Sequence, residues 1–221
     1  VLFEGFKNSG VRILGIEPVK HLAEIANNRG IETWNSFVNS QTVREILNLK
    51  GHAKIVSGTN VFAHIDDKKD LIDSLNILLD DDGVFVIEAP YLVDLINNLE
   101  YDTIYVEHLE YTSMRPLIKF FRKNRMDVFN VERYSIHGNS IRVFVCREGK
   151  RSISDNVHNL LKLEESLGIY TKEVLDNFAR RVGDHKRELL HLLISLKNQG
   201  KKIVGISAPA KGNTILNYCK I

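Results

Sequence analysis

Short apolar segments alternate with amphipathic segments along residues 10–147, and this alternation constrains the fold more than any other feature of the sequence. The apolar segments have the length of buried strands, whereas the amphipathic ones repeat apolar side chains at helical spacing. The predicted strands cover residues 12–16, 31–34, 53–57 and 84–88, and the predicted helices cover 21–28, 42–49, 67–79 and 113–123. Strands that alternate with helices predict an α/β sheet with helices on both faces.

The end of this pattern predicts how the sheet is completed. Residues 126–133 and 140–147 alternate apolar and polar side chains, which favours an antiparallel hairpin at a sheet edge. The predicted fold class is therefore α/β, with an open Rossmann-like sheet and a reversed terminal strand. Residues 80–83, three aspartates and a glycine, predict a turn before the fourth strand.

The residues after position 150 form a second region. A polar linker and a helix precede a long amphipathic helix at 171–197, and an apolar strand is predicted at 201–206. We therefore expect one α/β domain at residues 1–150. At residues 151–221 we expect a helical linker and the start of a second α/β Rossmann-like domain. The amphipathic face of the 171–197 helix also allows a homodimer.

The composition restricts the partners of this chain. Its 221 residues carry a net charge of +2 with scattered basic residues, so nucleic acid is not expected as a partner. No apolar run reaches about 18 residues and no signal peptide is visible, which predicts a cytoplasmic protein without a membrane partner. Cys146 and Cys219 are too few for a four-ligand zinc site, so no metal is expected. The chain begins without Met and stops inside a helical pattern, so we expect a fragment.

The densest group of reactive side chains is Tyr105-Val106-Glu107-His108, with Tyr111 shortly after it. A carboxylate beside an imidazole can raise its basicity and fix its tautomer, and a phenol can donate a hydrogen bond to a developing oxyanion. Together these groups could remove a proton next to a carbonyl. From the residues alone, an amphipathic segment with polar side chains facing water remains the alternative.

Other polar residues follow predicted strands, at the rim where open α/β sheets bind ligands. Glu17 ends the first strand and could accept hydrogen bonds from the ribose of a nucleotide-type cofactor, although the glycine-rich turn expected about 20 residues earlier is absent. Asn60 and His64 follow the third strand, where His64 could equally pack at the start of a helix. Lys211 and Asn213 lie in a small-residue loop before a helix, which favours either a diphosphate site or a plain turn.

Taken together, these motifs resemble those of the sugar-nucleotide C-methyltransferases that act on 4-keto-6-deoxyhexoses, the 3-C-methyltransferase family of deoxysugar pathways. The resemblance covers nearly the whole chain and rests on residues 15–18, 60–64, 105–108, 136–142, 208–214 and 217–219. It implies a zinc-binding N-terminal domain, a central domain for S-adenosylmethionine (SAM) and a C-terminal Rossmann-like domain. This chain resembles the central and C-terminal domains of the family, but it lacks the glycine-rich turn of the central domain. We therefore expect it to bind SAM weakly.

The resemblance also implies roles for particular residues. His108 would be the base that takes the C3 proton of the keto sugar, and Glu107 would orient and tune the site. Tyr105 and His64 would stabilise the enolate near the C4 carbonyl. The cofactor and substrate residues come from the same motifs: Glu17, Pro18 and Asn60 for SAM, and His137, Arg142, Lys211 and Asn213 for the nucleotide-linked sugar, the last two at its diphosphate.

The implied function is a SAM-dependent C-methyltransferase that transfers a methyl group to C3 of a nucleotide-linked 4-keto-6-deoxyhexose through an enolate. Two alternatives remain open. One is a SAM-dependent O-methyltransferase on a glycan or small molecule, in which His108 would activate a hydroxyl group. The other is a non-catalytic module that binds a sugar nucleotide.

Overall fold

The computed structural model describes residues 2–136, 138–206 and 209–221, which divide into two units. The first unit contains residues up to 54 and residues 67–80. Its elements are α1 (Leu2–Asn8), β1 (Gly15–Ile16), α2 (Lys20–Asn28), β2 (Thr33–Trp34), α3 (Ser40–Lys50) and α4 (Lys68–Leu78). Strands β1 and β2 pair in parallel, with Gly15 opposite Thr33. The predicted first strand is therefore present, but it is shortened to two residues.

Helices α3 and α4 of the first unit begin where polar side chains accept hydrogen bonds from their first backbone amides. The Asn39 side chain accepts from the amide of Thr42 at the start of α3, and Asp67 accepts from the amide of Asp70 at the start of α4. Such caps satisfy donors that have no partner within the helix. Helices α3 and α4 then pack against each other through buried side chains such as Val43.

The second unit contains residues 55–66 and 81–221. Strands β3 (Ala53–Thr59) and β4 (Leu79–Pro90) continue into it from the first unit. Its other elements are α5 (Leu92–Asn97), α6 (Met114–Lys123), β5 (Met126–Tyr134), β6 (Ser140–Arg147), α7 (Asp155–Ser166), α8 (Lys172–Asn198) and α9 (Ala210–Cys219). Two short 3₁₀ turns lie at Phe62–His64 and Tyr101–Thr103.

The sheet of the second unit has the strand order β3-β4-β6-β5. Strand β6 is antiparallel to both of its neighbours, with Val143 opposite Ile87 of β4 and Val131 of β5. The side chains of Ile141, Val143 and Val145 are fully buried, as expected for a strand between two others. The predicted α/β class and reversed strand are confirmed, and the reversed strand lies inside the sheet while β5 forms the edge.

Two local predictions were wrong. Residues 80–83 continue β4 instead of forming a turn, because β4 pairs with neighbouring strands in the sheet and lysines offset part of the acidic charge. Lys54 lies 3.0 Å from Asp80, and Lys150 binds Asp81. Residues 201–206 form no strand, and no strand among the described residues pairs with them. Their backbone therefore lacks the neighbour that a strand needs for its hydrogen bonds.

Aromatic and helical packing completes the second unit. Phe62 stacks on Phe121 with ring centroids 6.1 Å apart, and Phe85 of β4 meets the same ring edge-on. Helix α7 packs on β5 and on α6, so the packing around β5 continues beyond residue 150. The predicted division into domains at residue 150 stays a prediction. Within the described segments, no helix combines the length and apolar character that crossing a membrane requires.

Candidate active site

His108 lies at a small cleft of the second unit, next to the ends of two strands. Ala63 from the segment after β3, Pro90 from the end of β4, and Leu92 also line this cleft. The amide of Asn60 donates to the carbonyl of Glu88 at 2.8 Å, which places the ends of β3 and β4 side by side. The amide of Leu109 donates to the Ala63 carbonyl at 3.0 Å and holds the His108 segment at the same edge.

Two hydrogen bonds set the protonation pattern of the half-buried His108 ring. Its Nδ1 lies 2.7 Å from the carbonyl oxygen of Thr103, and its Nε2 lies 3.0 Å from the hydroxyl of Tyr105. Because a carbonyl can only accept, Nδ1 carries a proton, and in the neutral ring Nε2 accepts from the Tyr105 hydroxyl. The basic lone pair of His108 therefore lies on Nε2.

Further ring groups surround this imidazole. The His64 and Tyr105 ring centroids lie 4.9 Å and 4.2 Å from that of His108, and Tyr111 meets it edge-on at 6.4 Å. Burial raises the pKa of the Tyr105 phenol, and the nearby Glu107 charge raises it further. Burial likewise raises the pKa of Tyr111, which lines the cleft. Both phenols are therefore protonated at neutral pH and can donate hydrogen bonds.

The contact that orients His108 comes from the backbone. The Glu107 side chain is exposed, whereas the Thr103 carbonyl accepts from Nδ1 of His108. A backbone carbonyl fixes the imidazole tautomer as a carboxylate would, without adding a charge to the site. The predicted orienting role of Glu107 stays a prediction, and its charge acts in this structure on the pKa of Tyr105.

The residues predicted to bind the cofactor are found in both units. In the second unit, Asn60 has a φ of +53°, and its Oδ1 is buried without a hydrogen-bond partner among the described residues. In the first unit, Glu17 directly follows β1, and its Oε1 accepts from the amide of Val19 at 2.9 Å. Pro18 is exposed beside it. These roles stay predictions.

Arg142, predicted to contact the substrate, is bound within the sheet. It lies opposite Glu88 in the β4–β6 register, and its Nη2 is 2.7 Å from the Glu88 carboxylate. The guanidinium also covers the ring of Tyr134 at 4.2 Å from the centroid. The hydrogen bond to Glu88 raises the Arg142 pKa. His137 lies outside the described residues.

Lys211 and Asn213 lie in the first turn of α9, and both side chains are exposed. The Asn213 amide donates to the carbonyl of Pro209, and its side-chain oxygen accepts from Asn217 at 2.9 Å. The Lys211 side chain is thus positioned to meet an anion from solvent. The diphosphate role of the pair stays a prediction.

The sequence interpretation missed two features of this region. They are the Thr103 carbonyl and a fully buried carboxylate at Glu164 that binds two tyrosines. Tyr111, which the sequence analysis grouped with His108 without giving it a role, lines the cleft. Among the described residues, no three His, Cys, Asp or Glu side chains are grouped as metal ligands.

Two family models match different parts of this chain. Residues 1–128 match a family model described as a methyltransferase domain, and residues 135–221 match one described as a C-methyltransferase C-terminal domain. The chain is 34% identical to C-methyltransferase NovU of Streptomyces niveus over 98% of its own length. It spans 52% of that relative, about half of its length.

Solved structures resemble the chain more remotely. A SAM-dependent methyltransferase from Anabaena variabilis is 17% identical, with a TM-score of 0.48, over 62% of this chain and 68% of that one. An O-methyltransferase from a Brevibacillus brevis multienzyme, in complex with S-adenosyl-L-homocysteine, is 11% identical, with a TM-score of 0.45. That match covers 77% of this chain and 70% of the other.

Proposed function

The chain belongs to the methyltransferase-domain family, and we propose that the protein is a SAM-dependent C-methyltransferase acting on C3 of a nucleotide-linked 4-keto-6-deoxyhexose. The predicted likeness to C-methyltransferases is confirmed by the match over residues 135–221 and by the relative from Streptomyces niveus. One observation carries the proposal: His108 has its Nδ1 proton bound to a carbonyl and its Nε2 lone pair beside a phenol in a cleft.

An acceptor in the second unit supports a site for SAM. The buried Oδ1 of Asn60 lacks a donor among the described residues, and a bound molecule with an amino group would satisfy it. In the first unit, taken by itself, the Glu17 carboxylate uses Oε1 for the Val19 amide, and no described residue donates to its Oε2, which is left for a hydroxyl group such as that of a ribose. Each acceptor, within its own unit, fits a polar group of the cofactor. When bound, SAM supplies an electrophilic methyl group.

The proposed reaction begins with proton removal. Nε2 of His108 takes the proton from C3, and the electron pair of that C–H bond forms the C3–C4 double bond of an enolate. The negative charge that develops on the C4 oxygen needs donors that are already in place. The Tyr105 hydroxyl and a ring N–H of the nearby His64 supply them. A bound SAM would supply the methyl group to this carbon: the C3–CH3 bond would form as the sulfonium S–CH3 bond breaks, its electron pair would stay on sulfur, S-adenosylhomocysteine would leave, and the C4 carbonyl would be restored.

The substrate is the finer part of the proposal. Lys211 is an exposed cation in the first turn of α9, where helix amides also favour anions, and this supports binding of a diphosphate. Arg142 is held by Glu88, so a contact with the substrate would use a guanidinium whose position is already fixed.

The predicted homodimer stays a prediction. The α8 side chains Leu175, Leu192 and Ile194 are exposed within the chain.

Deuterium exchange at C3 tests the base directly. In D2O, the protein with SAM and the keto sugar nucleotide should replace the C3 hydrogen and form a new C-methyl product. His108→Ala should slow both processes by about 10²- to 10⁴-fold, the range of a general base. The matched control is His158→Ala, because His158 is an exposed imidazole on α7. Exchange at the wild-type rate in His108→Ala would remove His108 from the role of base.

Tyr105→Phe separates the oxyanion donor from the cofactor site. We expect turnover to fall by about 10²- to 10³-fold, as for other lost oxyanion donors, while the affinity for SAM changes little. An equal fall in SAM affinity would contradict an enolate role. Carbon NMR of the product made from methyl-labelled SAM identifies the acceptor atom, and an O-methyl carbon would replace the proposal with an O-methyltransferase. Sugar-nucleotide binding without exchange or methylation would indicate the non-catalytic module.

A further inference from the structure

The carbonyl that orients His108 belongs to a buried 3₁₀ turn, Tyr101–Thr103. Tyr101 is 6% exposed and Thr103 is 3% exposed, so neither is in contact with much solvent. The Thr103 hydroxyl donates to the Glu100 carbonyl at 2.7 Å, and its own carbonyl accepts from Nδ1 of His108. The position of the imidazole therefore depends on whatever holds this turn in place.

Side chains from α8 and α9 hold the first residue of the turn. The Tyr101 hydroxyl lies 3.0 Å from Nδ1 of His185 on α8 and 3.9 Å from Sγ of Cys219 on α9. The Tyr101 ring also meets the rings of His185 and Tyr218 edge-on, each with centroids 5.6 Å apart. Burial, followed by the hydrogen bond to Cys219, raises the pKa of Tyr101 to about 12. The phenol is therefore a neutral hydrogen-bonding group throughout the working range of an enzyme.

Helix α8 also holds the chain just before the turn. The guanidinium of Arg181 donates to the carbonyls of Ile96 and Asn97, both at 2.9 Å, at the end of α5. Planar donors of this kind fix two acceptors at once. The segment between α5 and Thr103 is thus attached to α8 at two points, Arg181 and His185, and to α9 at one.

We propose that Tyr101 is a positioning residue for His108, acting through its hydrogen bond to His185 and through the Thr103 carbonyl. The contact series runs from His185 to the Tyr101 hydroxyl, along the turn to Thr103, and from the Thr103 carbonyl to Nδ1 of His108. Its catalytic part rests on the proposed function, whereas its structural part does not. A side chain of α8, His185, thereby helps to set the tautomer of His108, which lies far before it in the sequence.

Nitrogen-15 NMR of the His108 ring tests the structural part without any substrate. The wild-type ring should be in the Nδ1–H tautomer. Tyr101→Phe should keep the fold but add a measurable fraction of the Nε2–H tautomer, because the Thr103 carbonyl is held less firmly. The control is Tyr218→Phe, since the Tyr218 ring touches Tyr101 while 44% of the residue is exposed. An unchanged His108 tautomer in Tyr101→Phe would overturn the proposal.

The catalytic part is tested by a double-mutant cycle on the rate of C3 exchange. Tyr101→Phe and His185→Leu should each lower this rate about 5- to 10-fold, the effect of one neutral hydrogen bond, with little change in KM. Because both substitutions remove the same hydrogen bond, the double variant should lower the exchange rate by no more than about 10-fold. His185→Asn keeps an acceptor near the position of Nδ1 and should restore part of the rate. Multiplied effects in the double variant, or a change in KM alone, would contradict a shared positioning role.

The two readouts distinguish this inference from the proposed function. If the wild-type protein exchanges no C3 hydrogen, the proposed function fails, but the His108 tautomer still reports whether Tyr101 positions the ring. If exchange occurs in the wild type and Tyr101→Phe matches it in rate and in tautomer, the positioning role fails while the proposed function stands. His185→Leu provides the same test in a second variant if Tyr101→Phe does not fold.

Discussion

Glu164 is a charged side chain whose removal should cost stability because it is fully buried and fully used. Its carboxylate accepts from the Tyr91 hydroxyl at 2.9 Å, from the backbone amide of Met114 at 2.6 Å, from the amide of Arg115 at 3.3 Å and from the Tyr170 hydroxyl. The two amides belong to the first turn of α6, which has no side-chain cap from Ser113. A carboxylate from α7 therefore caps the start of α6.

The substitution Glu164→Gln gives a magnitude that follows from these contacts. The glutamine side chain has the same volume as glutamate and keeps one acceptor oxygen. Its NH2 group replaces the second carboxylate oxygen, so it faces groups that donate hydrogen bonds to that oxygen in the wild type. That oxygen accepts from the Arg115 amide and the Tyr170 hydroxyl. Each of these two donors, in a part-buried site, costs about 1–3 kcal/mol if it loses its acceptor. Relief of a buried charge offsets part of this sum, so we expect a net loss of about 2–4 kcal/mol.

Thermal unfolding and urea unfolding both measure this loss. For a chain of this size, about 2–4 kcal/mol corresponds to a decrease in Tm of about 5–15 °C. The matched control is Glu165→Gln at the next position of α7. The Glu165 side chain is 76% exposed and lies 3.9 Å from Arg115, so its removal should change the free energy of unfolding by less than about 0.5 kcal/mol. If Glu164→Gln were as mild as this control, the reasoning about its buried acceptors would be refuted.

Two further predictions concern charged groups of the second unit. Burial first, then the hydrogen bond to Glu164, raises the pKa of Tyr170 from 10.0 to about 12, so this stabilisation is complete below pH 10 and is lost as the pH rises to about 12. In Tyr170→Phe, the free energy of unfolding measured with urea should therefore fall less steeply between pH 10 and about 12. The same dependence on pH as in the wild type would contradict the role given to Tyr170. Arg142→Met leaves the carboxylate of Glu88, only 10% exposed, without its cation and should cost about 1–3 kcal/mol. The added change Glu88→Gln should restore stability, and a rise in KM in both variants would support the substrate role of Arg142.

Local sequence determined most of the helices, because their ends depend on neighbouring residues. Thr171 accepts from the amide of Val174 three residues later, and the start of α8 lies within one residue of the predicted position. The acidic run at 80–83 was misjudged because it belongs to a strand that pairs with strands distant in the sequence, and because Lys54 and Lys150 offset part of its charge. The apolar run at 201–206 shows the converse, since a strand-like pattern forms no strand when no strand in the described part of the chain pairs with it.

The predicted site divides in the same way. Tyr105 and His108 are three residues apart, so their hydrogen bond could be anticipated from spacing alone. The Thr103 carbonyl could not, because every residue has one and its use depends on the backbone path. The contact between Tyr101 and His185 spans 84 positions, and only folding brings such groups together. The sequence therefore predicted the candidate reactive groups and gave no indication of the groups that hold them in this structure.

The hydrogen bond between Tyr105 and His108 also bears on how the proposed reaction would begin. The Tyr105 hydroxyl has one hydrogen, which lies on the lone pair of Nε2 in this structure. It cannot donate to Nε2 and to the C4 oxygen of a substrate at the same time. When C3 approaches Nε2, the hydroxyl must turn away, and the forming oxyanion offers it a stronger acceptor. In the proposed reaction, rotation of the Tyr105 hydroxyl hydrogen therefore frees the lone pair of His108 Nε2 and supplies a donor to the oxyanion in one step. Until a carbonyl substrate accepts that hydrogen bond, the Nε2 lone pair stays occupied by Tyr105.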